Sequence, residues 1–372
     1  MKRRVSAVAR RATLRIRRLG RDHAGRAGLR AILAGHVDGV RASRAPAGAA
    51  LLGGAAVTVA LFAWMVHESD LDQLREMWRN RRAAPLALAA LAYSTVLLCR
   101  AIRYRATGAA LDVPRLFTVT SLHGFLNRVL PVRGGELAYG YLVRRLGGGT
   151  FTGSMLGLVQ IRILDLVAVA GILAVALGSY VGDVGLRRDE AIAIAVAAFV
   201  LCGAGYLAIG PLMRVGVELA RRFAPEHVRH GRVAAFLDHL AELSATTAAT
   251  PPRTRRLVLI GASCGAWIAI YLCYWLILRG LTIELPLATV ILGASVANLA
   301  SSLPVTAIGS FGTLEAAWTF AFMALGLERP TAVATAWSVS LMTLAFGASY
   351  ALMGWAGLTR IESLDRESRA RS

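Results

Sequence analysis

Apolar residues run in stretches of about 20 along most of this chain, and polar residues gather between them instead of alternating with them. As a helix, about 20 apolar residues cross the hydrocarbon core of a bilayer. That length predicts full spans at 47–66, 84–104, 154–181, 190–211, 257–279 and 331–358. The fold class is all-α and polytopic, with about six full transmembrane helices. A β-barrel is disfavoured, because barrel strands alternate apolar and polar positions and these stretches do not.

Two apolar regions do not fit the count. "LPVRGGE" (130–136) and "LPVTAIGSFGTLE" (303–315) each place a proline, glycines and a glutamate where a continuous helix is expected. Pro131 and Pro304 each remove a helix donor and break the helix. The glycines that follow, Gly134, Gly135, Gly309 and Gly312, allow close backbone approach and unusual dihedrals. Such irregular backbone survives at membrane depth only where protein buries it or it lines a wet cavity. A new helix is expected after each break, at "GGELAYGYLVRR" and "GTLEAAWTFAFMALG".

Charge supplies the orientation. The chain carries a net +20, and its first 46 residues hold 13 Lys/Arg against Asp22 and Asp38. Basic residues collect on the cytoplasmic side of short loops. This puts the amino-terminal tail, Arg100 to Arg115, the loop 212–256 and the tail from Arg360 inside. The connection 67–83 balances four acids against four arginines and suits the outside. These assignments agree only if the regions 115–145 and 287–327 each enter and leave on one side, as re-entrant hairpins from opposite faces. The prolines stand 173 residues apart, and that shift lays span 84–104 onto 257–279 and 154–181 onto 331–358. An inverted repeat is therefore expected, with halves at about 47–181 and 190–358, an arrangement familiar from transporters. The first apolar run starts too deep and is too long for a signal peptide, so it is expected to stay as an anchor.

Composition adds little beyond this. The chain is 56% hydrophobic and 17% charged, with a mean hydropathy of +0.55. The basic tail suits an anionic lipid surface better than nucleic acid, since no stacking or recognition motif accompanies it. Cys99, Cys202, Cys264 and Cys273 all fall in predicted spans without ligand spacing and read as packing thiols. No catalytic triad, phosphate-binding glycine loop, metal site or cofactor motif is visible, so no enzyme activity is expected. The segment "RVAAFLDHLAEL" (232–243) is amphipathic and expected on the membrane surface, before a flexible linker at 245–256.

The candidate chemistry centres on the breaks. Glu136 and Glu315 stand in the first turn after each one, either as dipole-compensating caps or as protonatable groups that couple transport. A carboxylate at that depth costs about 2.5 kcal/mol or more unless a partner offsets it; Arg128 and Arg133 are near enough in sequence for Glu136. Arg162 and Asp165, at i, i+3 within "LVQIRILDLVAVAG", are either a mutually neutralising pair or a brace for the first hairpin. Asn127 and Asn298 precede the breaks and are placed to hydrogen-bond freed carbonyls. His123 reads as a satisfied interior histidine. Trp267, Trp275, Trp318, Trp337 and Trp355 read as packing and interfacial anchors.

"RYRATGAAL", "FLNRVLPVRGGELAYGYLVRR", "RILD" and "LPVTAIGSFGTLEAAW" resemble the transmembrane-region family of lysylphosphatidylglycerol synthases, flippase-like integral membrane proteins, from about residue 50 to 358. The resemblance implies movement of an aminoacylated or glycosylated lipid between leaflets. By motif it assigns roles to Asn127, Pro131, Arg133, Gly135, Glu136, Arg162, Asp165, Pro304, Gly309, Gly312 and Glu315. Tyr139 and Ile161 depart from the family pattern, where arginine and glutamate are usual, and are expected to thin the cavity's charge. This sequence ends about 14 residues after its last span, so the aminoacyltransferase domain of the full synthases, and with it lipid synthesis, is not expected. The function expected is translocation of an anionic phospholipid, lipid-linked sugar or polyprenyl phosphate in the cytoplasmic membrane, with both termini cytoplasmic. In that reading Arg133 and the two half-helix amino-termini hold the phosphate. The alternative is a non-transporting partner that docks a glycosyltransferase or synthase through its basic segments.

Overall fold

The computed structural model describes residues 70–129, 134–179, 188–223, 253–301 and 312–371, with isolated positions at 60, 63 and 67. Among the described residues there are ten helices and no strand. In chain order they are α1 (Leu71–Arg79), α2 (Ala83–Ala106), α3 (Val113–Val129), α4 (Gly134–Arg145) and α5 (Phe151–Ser179). Then come α6 (Arg188–Phe223), α7 (Arg253–Gly280), α8 (Leu287–Ser301), α9 (Thr313–Ala324) and α10 (Arg329–Arg371). The breaks at 130–133 and 302–311, the basic tail, the span 47–66 and the segment 232–243 lie outside the described residues.

Four helices are long and apolar enough to cross a membrane: Ala83–Ala106, Gly153–Ser179, Arg253–Gly280 and Arg329–Gly357. They match four of the six predicted spans. The predicted span 190–211 falls within α6, a 36-residue helix whose apolar stretch is Ile192–Tyr206. The predicted loop from 212 is corrected at its start, because the helix continues to Phe223. Likewise α10 continues to Arg371, beyond the predicted span end at 358.

Polarity is distributed as a bilayer demands. Val175, Leu201 and Leu352 are more than 70% exposed, while Thr120, Ser295, Thr335 and Ser338 are fully buried. In water so much exposed apolar surface would drive association. Facing lipid tails it is at home, and the buried hydroxyls follow from the rule that polar groups at this depth need a protein partner. The chain is a multi-pass membrane protein.

The two ends of the bundle can be told apart by their contacts. At one end the Arg82 N–H donates to Gly280 O at 2.7 Å, and Gln73 Nε2 donates to Thr331 Oγ1 at 2.8 Å. There α1 closes the bundle, held by the Asp70 side chain that caps its first turn and by the Trp78 bond to Ser338 Oγ at 3.2 Å. α1 lies in the predicted outer connection 67–83, where no helix was expected. At the other end Arg255 Nε donates to Ala106 O, and the Ala110 N–H donates to Gly148 O at 2.8 Å. α2 starts at the first end and finishes at the second, about 36 Å away at the usual helical rise. α7 runs the opposite way.

The α3–α4 hairpin therefore enters and leaves at the Ala106 end, where Ala110 and Gly148 join its two flanking loops. The α8–α9 hairpin follows Gly280 and precedes Thr331, at the other end. The packing is matched as well. α2 lies along α7; α3 packs on α10 and α8 on α5; α4 packs on α5 and α9 on α10. Two hairpins of 12- to 17-residue helices thus dip in from opposite ends beside a central antiparallel pair. Larger apolar clusters hold each side, one around Tyr271, Ile277, Trp318 and Phe322, the other around Tyr104, Leu116 and Tyr139.

Candidate functional site

A cavity of about 190 Å³ opens where the hairpins meet the central pair. One stripe of α2 lines it: Tyr93, Val96, Arg100, Arg103 and Tyr104, spaced so that they share a helix face. α3 adds His123, Asn127 and Arg128; α5 adds Ile161, Arg162 and Asp165. From the second half come Trp267 and Tyr274 of α7, Asn298 of α8, Leu314 of α9 and Thr343 of α10. Four arginines and one aspartate thus surround a space that both halves enclose.

The predicted pairing of Arg162 with Asp165 is corrected. Arg162 Nη2 donates to Glu136 Oε1 at 2.9 Å, joining α5 to the first turn of α4. Asp165 instead accepts from Arg103 and, at 2.8 Å, from Trp267 Nε1. The i, i+3 spacing allowed a pair, but each group finds a better-placed partner on another helix. The brace reading of Arg162 is the one realised. Trp267, read as a packing residue, is a polar contact in the cavity.

The Arg103–Asp165 bond is the most buried ion pair among the described residues, with side chains 3% and 15% exposed. Arg103 also donates to Ser263 Oγ at 3.3 Å, so one guanidinium ties α2 to α5 and α7. The sequence reading counted Arg100 and Arg103 only as cytoplasmic flank charges. Their alignment with Tyr93, Val96 and Tyr104 at helical spacing was the available signal that they face inward.

Glu315 satisfies the capping reading. Its Oε2 accepts from the Gly312 N–H at 2.7 Å, across a Gly312 φ of +88° that only glycine adopts without strain. Its Oε1 accepts from Ser340 Oγ, and the residue is 1% exposed. Among the described residues Glu315 forms no ion pair. The nearest link to a cation runs through Ser340, whose Oγ also receives Arg128 Nη2 at 3.2 Å, with Arg128 Nη1 on Thr343 Oγ1 at 2.6 Å. Arg128 thus turns to the second half of the bundle and not to Glu136. The amino-terminus of α9 is already answered by its own carboxylate, which removes it as a free anion site.

The first hairpin is closed tightly. His123 Nδ1 meets Gly135 O at 2.8 Å, the satisfied interior histidine expected. A side chain at Gly135 would collide with the Asn127 backbone, so α3 and α4 touch main chain to main chain here. Tyr139 is buried at 1% and packs against Tyr104, ring centroids 4.3 Å apart, behind the cavity wall. Its departure from the family's arginine is therefore a packing change in this chain.

Asn298 Nδ2 donates to Ala294 O at 2.8 Å within its own helix, and the break it precedes lies outside the described residues. Asn127 Oδ1 is buried with no partner among the described residues. Of the sequence-predicted residues, Asn127, Arg128, Arg162, Asp165 and Asn298 meet in one cavity. Glu136 joins through Arg162, and Glu315 lies behind Ser340. Gly134 and Gly135 open α4, and Gly312 caps α9. Pro131, Arg133, Pro304 and Gly309 lie outside the described residues.

Comparison with known proteins returns no match among curated proteins and none among solved structures. One family model does match, over residues 51–349, which takes in the described helices α1 to α9 and stops within α10. The chain belongs to the family described as the lysylphosphatidylglycerol synthase TM region.

Proposed function

We propose that this protein moves a lipid between leaflets of the cytoplasmic membrane, with its headgroup passing through the cavity between the two hairpins. The observation that supports this most is the cavity's lining: four guanidinium groups and a carboxylate, inside a bundle whose outer surface is apolar. Ionisable groups at such depth are costly and mark a substrate path by default. Opposed broken hairpins around a central site are also the geometry by which transporters alternate access. Family membership agrees, as does a cytoplasmic placement of the Ala106 end, where Arg105, Arg115, Arg144 and Arg145 collect.

In this account the Arg162–Glu136 pair is the moving part. Both side chains are partly exposed, 48% and 30%, unlike the sealed Arg103–Asp165 pair. Protonation of Glu136 removes the charge that holds Arg162 and loosens the polar tie between α4 and α5. The headgroup phosphate then competes for the freed guanidinium. Glu315, capped and covered, fixes the second hairpin.

The test is purified protein in sealed vesicles, with inner-leaflet loss of a labelled anionic phospholipid followed with and without a proton gradient. Glu136→Gln is expected to slow translocation at least tenfold while the protein stays monodisperse. A wild-type protein that moves no lipid under either condition would defeat the reading. A variant that moves it at the wild-type rate would remove Glu136 from the mechanism.

A further inference from the structure

We infer that the cavity selects a lipid whose headgroup is an anionic phosphodiester bearing hydroxyls and no amine, held by Arg100 and Arg128. This deepens the translocation reading and rests on it for the lipid's route.

The charges around the cavity decide the matter. Arg103 is matched by Asp165, and Arg162 by Glu136. Arg100 lines the cavity and makes no hydrogen bond or ion pair among the described residues. Arg128 bonds two hydroxyls, Ser340 and Thr343, and no carboxylate. Among the described residues, two guanidinium groups are thus left without an anion. Arg100 stands six residues from the end of α2, about 9 Å along the helix. An arginine at that position is stable when an anion answers it, and its planar fork matches two phosphate oxygens.

An amine-bearing headgroup finds the opposite conditions. Asp165 Oδ1 already accepts from Arg103 and Trp267, and Glu136 accepts from Arg162. Glu315 is covered and engaged by Gly312 and Ser340. An ammonium would therefore meet two positive charges unmatched among the described residues, while each described carboxylate near the cavity already answers another donor. The aromatic rings of Tyr93, Tyr104 and Tyr274 attract cations, but a ring face does not outweigh two like charges in the same space. Asn127 Oδ1, buried and unmatched, supplies an acceptor for a headgroup hydroxyl. The family's description names a lysylated lipid; the charges in this chain point to the uncharged-polyol form of such a phosphodiester.

Lipid retention by the purified full chain in detergent, read by native mass spectrometry, tests this directly. Equimolar phosphatidylglycerol and lysylphosphatidylglycerol are offered together, with glycerol 3-phosphate as a tail-less competitor. Phosphatidylglycerol is expected to be retained at least tenfold over the lysylated lipid. Arg100→Gln and Arg128→Gln should each lower its retention about tenfold, and Arg100→Lys less, since charge remains but the fork is lost. Unchanged unfolding midpoints separate these effects from misfolding. Equal or preferred retention of the lysylated lipid would overturn the inference, as would two glutamine variants that bind like wild type. Displacement by glycerol 3-phosphate at equal concentration would overturn the lipid assignment. Selective retention without any movement in vesicles would sink the transport reading alone. Equally fast movement of both lipids would sink the selectivity alone.

Discussion

Arg103→Ala is expected to destabilise the folded protein by about 3–5 kcal/mol, the usual cost of removing one partner from a buried ion pair. The change strands Asp165, which is 15% exposed and would keep only the Trp267 N–H. It also frees Ser263 and disconnects α2 from α5 and α7. Because the damage comes from the charge left behind, Arg103→Leu combined with Asp165→Leu should be less harmful than either single change. Unfolding midpoints in one detergent, for the two singles and the double, give the answer. A double variant as unstable as the sum of the singles would show that the pair contributes through packing and not through mutual neutralisation.

The second large effect concerns the first hairpin. Gly135→Val places a branched side chain where the Asn127 backbone already sits. Backbone cannot rotate away as a side chain can, so α3 and α4 must separate. Overpacking of this kind costs about 1–3 kcal/mol, and separation also breaks the His123–Gly135 contact, worth about a further 1 kcal/mol. Gly147→Ala is the control. That glycine has a φ of +77° but nothing within reach of an added carbon, so it reports backbone strain without collision. Gly135→Val should fall well below Gly147→Ala in unfolding midpoint and should lose protection from hydrogen exchange across α3 and α4. Equal midpoints would mean that the two helices are not held at contact distance.

Much of this architecture was legible in the sequence, for reasons that can be traced. Span length is set by the bilayer, so α2, α5, α7 and α10 follow from apolar runs alone. The starts of α4 and α9 follow from proline and glycine, which break a helix for steric reasons whatever surrounds them. The pairing of charges was not legible. Arg162 and Asp165 are neighbours on one helix, but their partners, Glu136 and Arg103, are 26 and 62 residues away, and only packing brings them together. Arg100 and Arg103 were hidden by a rule that counts charge near a span end without asking which way the helix face points. α1 was hidden because its balance of charges read as a solvated loop, although Asp70, three residues before Gln73, and the apolar Leu74, Met77 and Trp78 form a capped amphipathic turn.

The central claim is that two hairpins enter from opposite faces and enclose one cationic cavity. Site-directed labelling tests it most directly, in a chain whose Cys99, Cys202, Cys264 and Cys273 are replaced. Single cysteines are placed at the exposed ends of each hairpin, Asp112→Cys and Thr150→Cys for the first, Glu284→Cys and Glu328→Cys for the second. A membrane-impermeant thiol reagent is then applied to intact cells and to inverted membrane vesicles. The account predicts that 112 and 150 react only from the cytoplasmic face, and 284 and 328 only from the other. Labelling of all four from one face, or a hairpin whose two ends react from different faces, would contradict it.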